Sequence, residues 1–285
     1  MVTVHIKDIQ YQYHDGTHAL HNACLDIVKG ELLAILGPNG SGKTTLLKHL
    51  NGLFKPISGE IVLDQKPLSH YSSREIFQKV GMVFQDPNDQ LFAPTVWEDV
   101  AFGPMNLDLS KSEIIHRVDE ALAIVNMGKY TGKTVDALSF GQKKRVCVAG
   151  VLAMRPEILV LDEPTCGLDP VGVTSLMTLL KELQDKYGIT IIMATHNVDL
   201  VPLYMDRLAI MYQGSVLRAG TPEYVFSNID EIRSACLELP QIAQLMQVLR
   251  DKDNIPMDSL PLTVGEAREF LVQKFHNQLT ANLQR

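Results

Sequence analysis

The run GPNGSGKT, Gly37 to Thr44, has the glycine spacing and the closing Lys–Thr pair of a phosphate-gripping loop, GxxxxGK[ST]. Glycines there let backbone N–H groups converge on phosphate oxygens, and a helix starting at the loop adds partial positive charge. Lys43 would reach the β- and γ-phosphates of a nucleotide, and the Thr44 hydroxyl would ligate Mg²⁺.

A pair of adjacent carboxylates, Asp162 and Glu163, ends the apolar run ILVL at 158–161. Such a pair can divide the labour of hydrolysis: Asp162 holds magnesium and Glu163 polarises the attacking water. Gln85 follows VGMVF and His196 follows ITIIMAT, so both also stand at strand ends. A glutamine can orient water or complete a magnesium shell, and a neutral histidine can hydrogen-bond a γ-phosphate. Taken singly, each is more often a loop or cap residue; only their joint appearance at strand ends favours the functional reading. A second anion-seeking feature is LSFGQKKR, Leu138 to Arg145. Ser139 is placed as an N-cap, Gly141 leaves the backbone open, and Lys143, Lys144 and Arg145 follow.

The elements that must position these groups are readable from apolar patterning. LLAIL (32–36) predicts a buried strand before the phosphate loop, and TTLLKHLNGL predicts a helix after it. EILVLDE (157–163) and the β-branched GITIIMATH (188–196) predict two more buried strands. Between them Asp169-Pro170 starts a helix, Val173, Leu176, Leu180 and Leu183 form its apolar face, and Gly188 stops it. This alternation predicts an α/β fold around a mainly parallel sheet. Residues 86–156 read as a helical insertion, with a capping box at Ser110 and Glu113 and an apolar face of Ile114, Val118, Ala121, Leu122 and Val125. RLAIMYQGSVLRAG (207–220) predicts a hairpin turning at Gln213-Gly214. Beyond residue 235 the chain turns helical again, with a capping box at Thr263 and Glu266 and a stripe of Phe270, Leu271 and Phe275.

Composition excludes several classes. The formal charge of −7 over 285 residues argues against a general nucleic-acid binder. No apolar run approaches the length of about 18 residues that crosses a bilayer. MVTVHIKDIQ lacks a positive segment followed by an apolar one, so no signal peptide is expected. The 4 cysteines, Cys24, Cys147, Cys166 and Cys236, form no CxxC pair, which suits a reducing cytosol and offers no structural zinc site. His14, His18 and His21 read as hydrogen-bonded loop histidines in preference to a metal site.

Together these motifs resemble the nucleotide-binding subunits of ABC transporters over about residues 2 to 230. GPNGSGKTT is similar to Walker A, ILVLDEP to Walker B, LSFGQ to the signature and CGLD (166–169) to the D-loop. Gln85 and His196 fall at the Q-loop and switch positions, and Tyr13 at the aromatic position that stacks on adenine. A strand aromatic packing into the core is the other reading of Tyr13. The resemblance implies a P-loop core with an antiparallel β region, a helical subdomain and a small helical C-terminal extension. It assigns residues 1–234 to the nucleotide-binding domain and 235–285 to an extension that helps subunits pair. It implies ATP and Mg²⁺ as cofactors. ATP would be held by Tyr13, Gly37, Asn39, Gly40, Ser41, Gly42, Lys43, Thr44 and Thr45. Thr44, Gln85 and Asp162 would serve the metal, and Glu163, His196 and Gln85 catalysis. Two subunits would close head to tail, so Ser139, Phe140, Gly141 and Gln142 would act on the ATP of a partner chain, with Gly167, Leu168 and Asp169 as the D-loop between them.

The common signature has glycine where Phe140 stands. LSFGQKKRV is nonetheless similar to the version in energy-coupling-factor importers, and DPNDQLF…VAFGP, which includes Gln90, to their cobalt and nickel branch. The implied function is ATP hydrolysis that drives import of cobalt or nickel, from the cytoplasmic face of the cell membrane. The partners would be a second ATPase, as a homodimer, a transmembrane coupling subunit contacted around Gln85 to Gly103, and a substrate-specific membrane subunit, with no nucleic acid. Cys166 reads as a small packing residue of the D-loop. A vitamin-importer module shares nearly every motif. A soluble ABC ATPase or a small-molecule kinase fits less of the sequence.

Overall fold

Every residue of Leu32–Leu36 is buried, and alternate side chains enter two different cores. Leu32, Ala34 and Leu36 face one, Leu33 and Ile35 the other. A strand buried on both faces reads as a continuous apolar run, which is why these segments show no polar alternation.

The computed structural model describes residues 2–283, with side chains described from residue 3 to residue 276; residues 1, 284 and 285 of the expected domains lie outside the described residues. The chain begins with β1 (Val2–Gln12), β2 (His18–Val28) and β3 (Leu32–Leu36), followed by α1 (Lys43–Leu50). β4 (Ser58–Leu63), β5 (Lys66–Pro67), α2 (Ser73–Lys79) and β6 (Val80–Val83) come next. Then α3 (Val96–Met105), α4 (Lys111–Ile124) and α5 (Phe140–Leu152) occupy the stretch expected to be a helical insertion. β7 (Ile158–Asp162), α6 (Pro170–Tyr187), β8 (Thr190–Thr195), α7 (Val201–Tyr204), β9 (Arg207–Tyr212) and β10 (Ser215–Gly220) complete the sheet. Four helices follow: α8 (Pro222–Phe226), α9 (Ile229–Ser234), α10 (Gln241–Asp251) and α11 (Val264–Leu283).

The main sheet has 6 strands in the order β10-β9-β3-β8-β7-β6, parallel except for the β9–β10 hairpin. The second sheet is antiparallel, β2-β1-β4-β5, and its apolar face packs with α1 against the side of the main sheet that carries Leu33 and Ile35. The opposite side is covered by α3, α4, α5 and α6. This is the α/β architecture expected from the sequence. The hairpin turns at Gln213 and Gly214, both at positive φ, as a tight two-residue turn requires.

Register fixes the geometry of the site. Leu36 pairs with Thr195, Asp162 with Ala194, and Val83 with Leu161. The carboxyl ends of β3, β8, β7 and β6 therefore lie side by side, and the phosphate loop, His196, Glu163 and Gln85 all leave from one edge.

Two expected capping boxes close differently. Ser110 accepts from Glu113 N, but the Glu113 carboxylate takes Arg117 at 2.7 Å and does not return to the cap. Thr263 accepts from Glu266 N, while Glu266 Oε2 accepts from Leu262 N, one residue earlier. Asp169 and Gly188 bound α6 as expected, Asp169 accepting from Gly172 N at 2.7 Å. On α11 the anticipated stripe is only partly buried, and Phe275 is 62% exposed.

Candidate active site

A cleft of about 520 Å³ opens at the shared carboxyl edge, lined by residues 39–45 with Tyr13, Gln85, Glu163, Cys166 and His196. Gly37 and Asp162, expected to touch nucleotide and metal, stand behind this surface, both buried. At Gly37 a side chain has no room: a Cβ there would meet Met211 O at 2.4 Å. Gly42 takes φ +100° where the loop passes into α1, and a Cβ would lie 2.6 Å from Ala19 O. That conformation needs glycine.

Lys43 is buried, its Nζ donating to Gly37 O at 2.8 Å and Pro38 O at 3.2 Å, with Glu163 Oε1 at 3.9 Å. Burial pulls its pKa below the usual lysine range, against the pull of Glu163 and Asp162. Asp162 shows the opposite shift. Burial raises its carboxyl pKa, and a hydrogen bond from Thr44 and the charge of Lys43 offset only part of this. Its Oδ1 is buried without a hydrogen-bond partner. A buried, unpaired carboxylate oxygen beside a threonine hydroxyl is a hard-oxygen donor set, and Mg²⁺ fits it.

Glu163 sits at φ 44°, a left-handed conformation uncommon outside glycine. Its N–H donates to Ala194 O at 3.0 Å, and its side chain is 9% exposed. Oε2 accepts from His196 Nδ1 at 2.8 Å. An ionised carboxylate only accepts, so Nδ1 is the donor in this bond, and Nε2 is left for other partners. His196 itself is 63% exposed at the mouth of the cleft. Such an arrangement can hold a carboxylate ready to take a proton from water while the imidazole fixes its direction.

Tyr13 stands just past β1, half-buried, its hydroxyl 2.8 Å from Thr45 Oγ1. Tyr11 and Phe54 meet it edge to face, with centroids at 5.2 Å and 5.9 Å. It thus stands outside the strand and the buried core, packs on an aromatic cluster and lines the cleft.

None of Ser139, Phe140, Gly141 or Gln142 lines this cleft. They form the first turn of α5, closed by a full capping box: Ser139 Oγ accepts from Gln142 N at 3.4 Å, and Gln142 Oε1 accepts from Ser139 N at 3.0 Å. The basic residues that follow are engaged inside the chain and are not loose cations beside an anion site. Lys143 donates to Asn88 Oδ1 at 2.8 Å, and Lys144 to Glu163 O at 3.2 Å. Arg145 donates to Val125 O at 2.9 Å and Ser175 Oγ at 2.6 Å. Phe140 packs on the D-loop of its own chain: a Cβ at Gly167 would lie 2.8 Å from its ring. A Cβ at Gly141 would lie 3.5 Å from Leu168, so signature and D-loop touch. Cys166, read as a packing residue, is exposed and lines the cleft.

Gln90 has a role that its place in the sequence does not show. Its Oε1 accepts from Phe84 N at 3.0 Å and its Nε2 donates to Cys147 O at 3.2 Å, which latches the loop holding Gln85 to α5. An amide has the separate acceptor and donor atoms that such a latch uses.

Comparison with known proteins agrees with this geometry. The family described as ABC transporter matches residues 20–166. The chain is 50% identical over 274 residues to the energy-coupling factor transporter ATP-binding protein EcfA of Methanocaldococcus jannaschii, covering 95% of this chain and 98% of that one. It is 48% identical over 269 residues to EcfA2 of Clostridium perfringens, covering 93% and 94%. Among solved structures, cbiO1 of Clostridium perfringens, part of the ABC transporter complex cbiONQ, superposes with TM-score 0.75 at 47% identity, over 86% of this chain and 99% of that one. A dimeric ATP-binding cassette in a post-hydrolysis state with ADP and Pi gives 0.69 at 31% identity, over 77% and 98%.

Proposed function

The chain belongs to the ATP-binding subunits of ABC transporters, in the energy-coupling-factor group, and we propose that the cargo it drives inward is a transition-metal ion, cobalt or nickel. Its activity is ATP hydrolysis coupled to transport through a membrane complex. No helix among the described residues is long and apolar enough to cross a membrane. The path for the cargo would belong to partner subunits, a reading supported by cbiO1 being part of a transporter complex. The chain would dock on them from the cytoplasmic face.

In the proposed mechanism residues 37–45 grip the phosphates and Tyr13 stacks on the base. Thr44, Asp162 and Gln85 would hold Mg²⁺, which would supply positive charge to offset that of the phosphates. Lys43 moves from its loop carbonyls to the phosphate, and Glu163 accepts a proton from the attacking water. His196 keeps that carboxylate oriented and offers Nε2 toward the cleft. The separation of Ser139–Gln142 from their own cleft supports a second copy as partner, whose ATP they would meet with the N–H groups that open α5. Exposed Val264, Val272 and Phe275 on α11 support residues 235–285 as a further pairing surface.

The observation that carries the metal assignment is the likeness to cbiO1, together with the DPNDQLF…VAFGP segment. Relatives named only as energy-coupling factor ATP-binding proteins favour a second reading, a module shared among vitamin importers. Cellular uptake of radiolabelled cobalt and nickel, compared between wild type and Glu163→Gln at matched expression, separates the two. Loss for one metal with other solutes unaffected is expected; unchanged uptake of both metals would move the cargo to the vitamins.

A further inference from the structure

Lys144 takes no part in the nucleotide chemistry above, yet it is 3% exposed, as buried as a core residue. Its ammonium has three N–H donors, and its hydrogen bond goes to a backbone carbonyl, that of Glu163, at 3.2 Å. The Phe140 ring lies on another side, its centroid 5.4 Å from Nζ. Burying this cation is costly: burial holds its pKa below the usual lysine range, and nearby acidic groups, Asp86 and Glu163 among them, return only part of that. A methionine would fill the same space without that cost.

The atom it grips matters. Glu163 is in the left-handed region at φ 44°, and its peptide sets where the carboxylate points. Lys144 lies on the second turn of α5, the helix whose first turn is the signature. Phe140, one residue into that helix, bears on Gly167, four residues beyond Glu163. One helix thus holds the Glu163–Gly167 loop at both ends.

We propose that Lys144 is a positioning residue that ties the strained backbone of Glu163 to the start of α5, so that the helix gripping one ATP sets the water-activating carboxylate of the other. The inference rests on the reading that Ser139–Gln142 serve a partner chain's ATP. A small shift of α5 when a γ-phosphate docks on its first turn carries Nζ with it, and with Nζ the Glu163 carbonyl. Each site would then hydrolyse fully only when its neighbour is filled.

The test is steady-state ATPase kinetics on the full chain in its transport complex, comparing wild type, Lys144→Met and Lys144→Gln, with Glu163→Gln and Ser139→Arg alongside. For Lys144→Met we expect kcat to fall about 10- to 100-fold, the scale of a catalytic group misplaced by an ångström. KM for ATP stays within about twofold, as for an interaction made beyond the ground state. The Hill coefficient drops toward unity from a wild-type value above it, and Tm does not fall. Lys144→Gln, which keeps a shorter donor, lies between the two. A Lys144→Met enzyme with wild-type kcat and Hill coefficient overturns the proposal, as does a loss that tracks Tm and is equal in both variants. Should Lys144→Met be insoluble, Lys144→Gln decides alone: lower kcat with KM kept supports the link, and wild-type kinetics overturn it. Full turnover in Glu163→Gln or Ser139→Arg would instead remove the underlying reading, and this inference with it.

Discussion

Asp162→Asn should stabilise the nucleotide-free protein while abolishing its magnesium-dependent activity. Asp162 is buried, its Oδ1 lacks a partner, and burial outweighs the help of Thr44 and Lys43, so its pKa stands above the usual 3.8. A raised carboxyl pKa means the folded state binds the proton more tightly than the unfolded state. The stability this gives is present below pH 3.8 and is lost as pH rises through the raised value. At neutral pH the ionised group is therefore a liability. Burying a charge costs more than burying a neutral amide in the same place, and with Lys43 returning part of the difference, the amide should gain on the order of 1 kcal/mol. For a chain of this size that is roughly 2–4 °C in Tm. Calorimetry at pH 7.5 without nucleotide should show the variant melting higher, with the gap narrowing as pH is lowered toward 3.8. Saturating Mg-ATP should reverse the order, since ligand at 100 times Kd adds about 2.7 kcal/mol to wild type alone. A variant that melts below wild type without nucleotide would show that the pull of Lys43 exceeds the cost of burial, and would refute the reasoning.

Two other expectations concern the cleft. Glu163→Gln should bind ATP yet lose about 10²- to 10⁴-fold in turnover, the usual loss for a general base, measured by phosphate release. Turnover at the wild-type level would take Glu163 out of that role. A bulky thiol reagent should inhibit by labelling Cys166, and ATP should protect, because that side chain lines the cleft. Full activity after confirmed labelling of Cys166 would remove it from the nucleotide's path.

Much of this was legible because each strand of the site is short, apolar and followed by its functional residue. LLAIL ends in the phosphate loop, ILVL in Asp162-Glu163, and ITIIMAT in His196, and parallel register brings such ends to one edge. What stayed hidden depends on partners distant in sequence. Lys143, Lys144 and Arg145 look alike in a row, but α5 turns them toward Asn88, Glu163 and Ser175 respectively. Spacing cannot distinguish a solvated lysine from one that reaches a strained carbonyl 19 residues away in sequence. The role of Gln90 was hidden for the same reason, since Phe84 N and Cys147 O approach it only in the folded chain. Ser110 shows the reverse failure: its capping box was spelled correctly, and Arg117 took the carboxylate.

The most direct test of the central claim, that each ATP is gripped by two chains, is Ser139→Arg assayed for both ATP binding and turnover. Ser139 lies outside its own cleft, so the variant should bind ATP with wild-type affinity and lose about 10²- to 10³-fold in kcat, the cost of spoiling a preorganised anion site. Turnover within a few fold of wild type, or ATP binding lost in step with turnover, would contradict it.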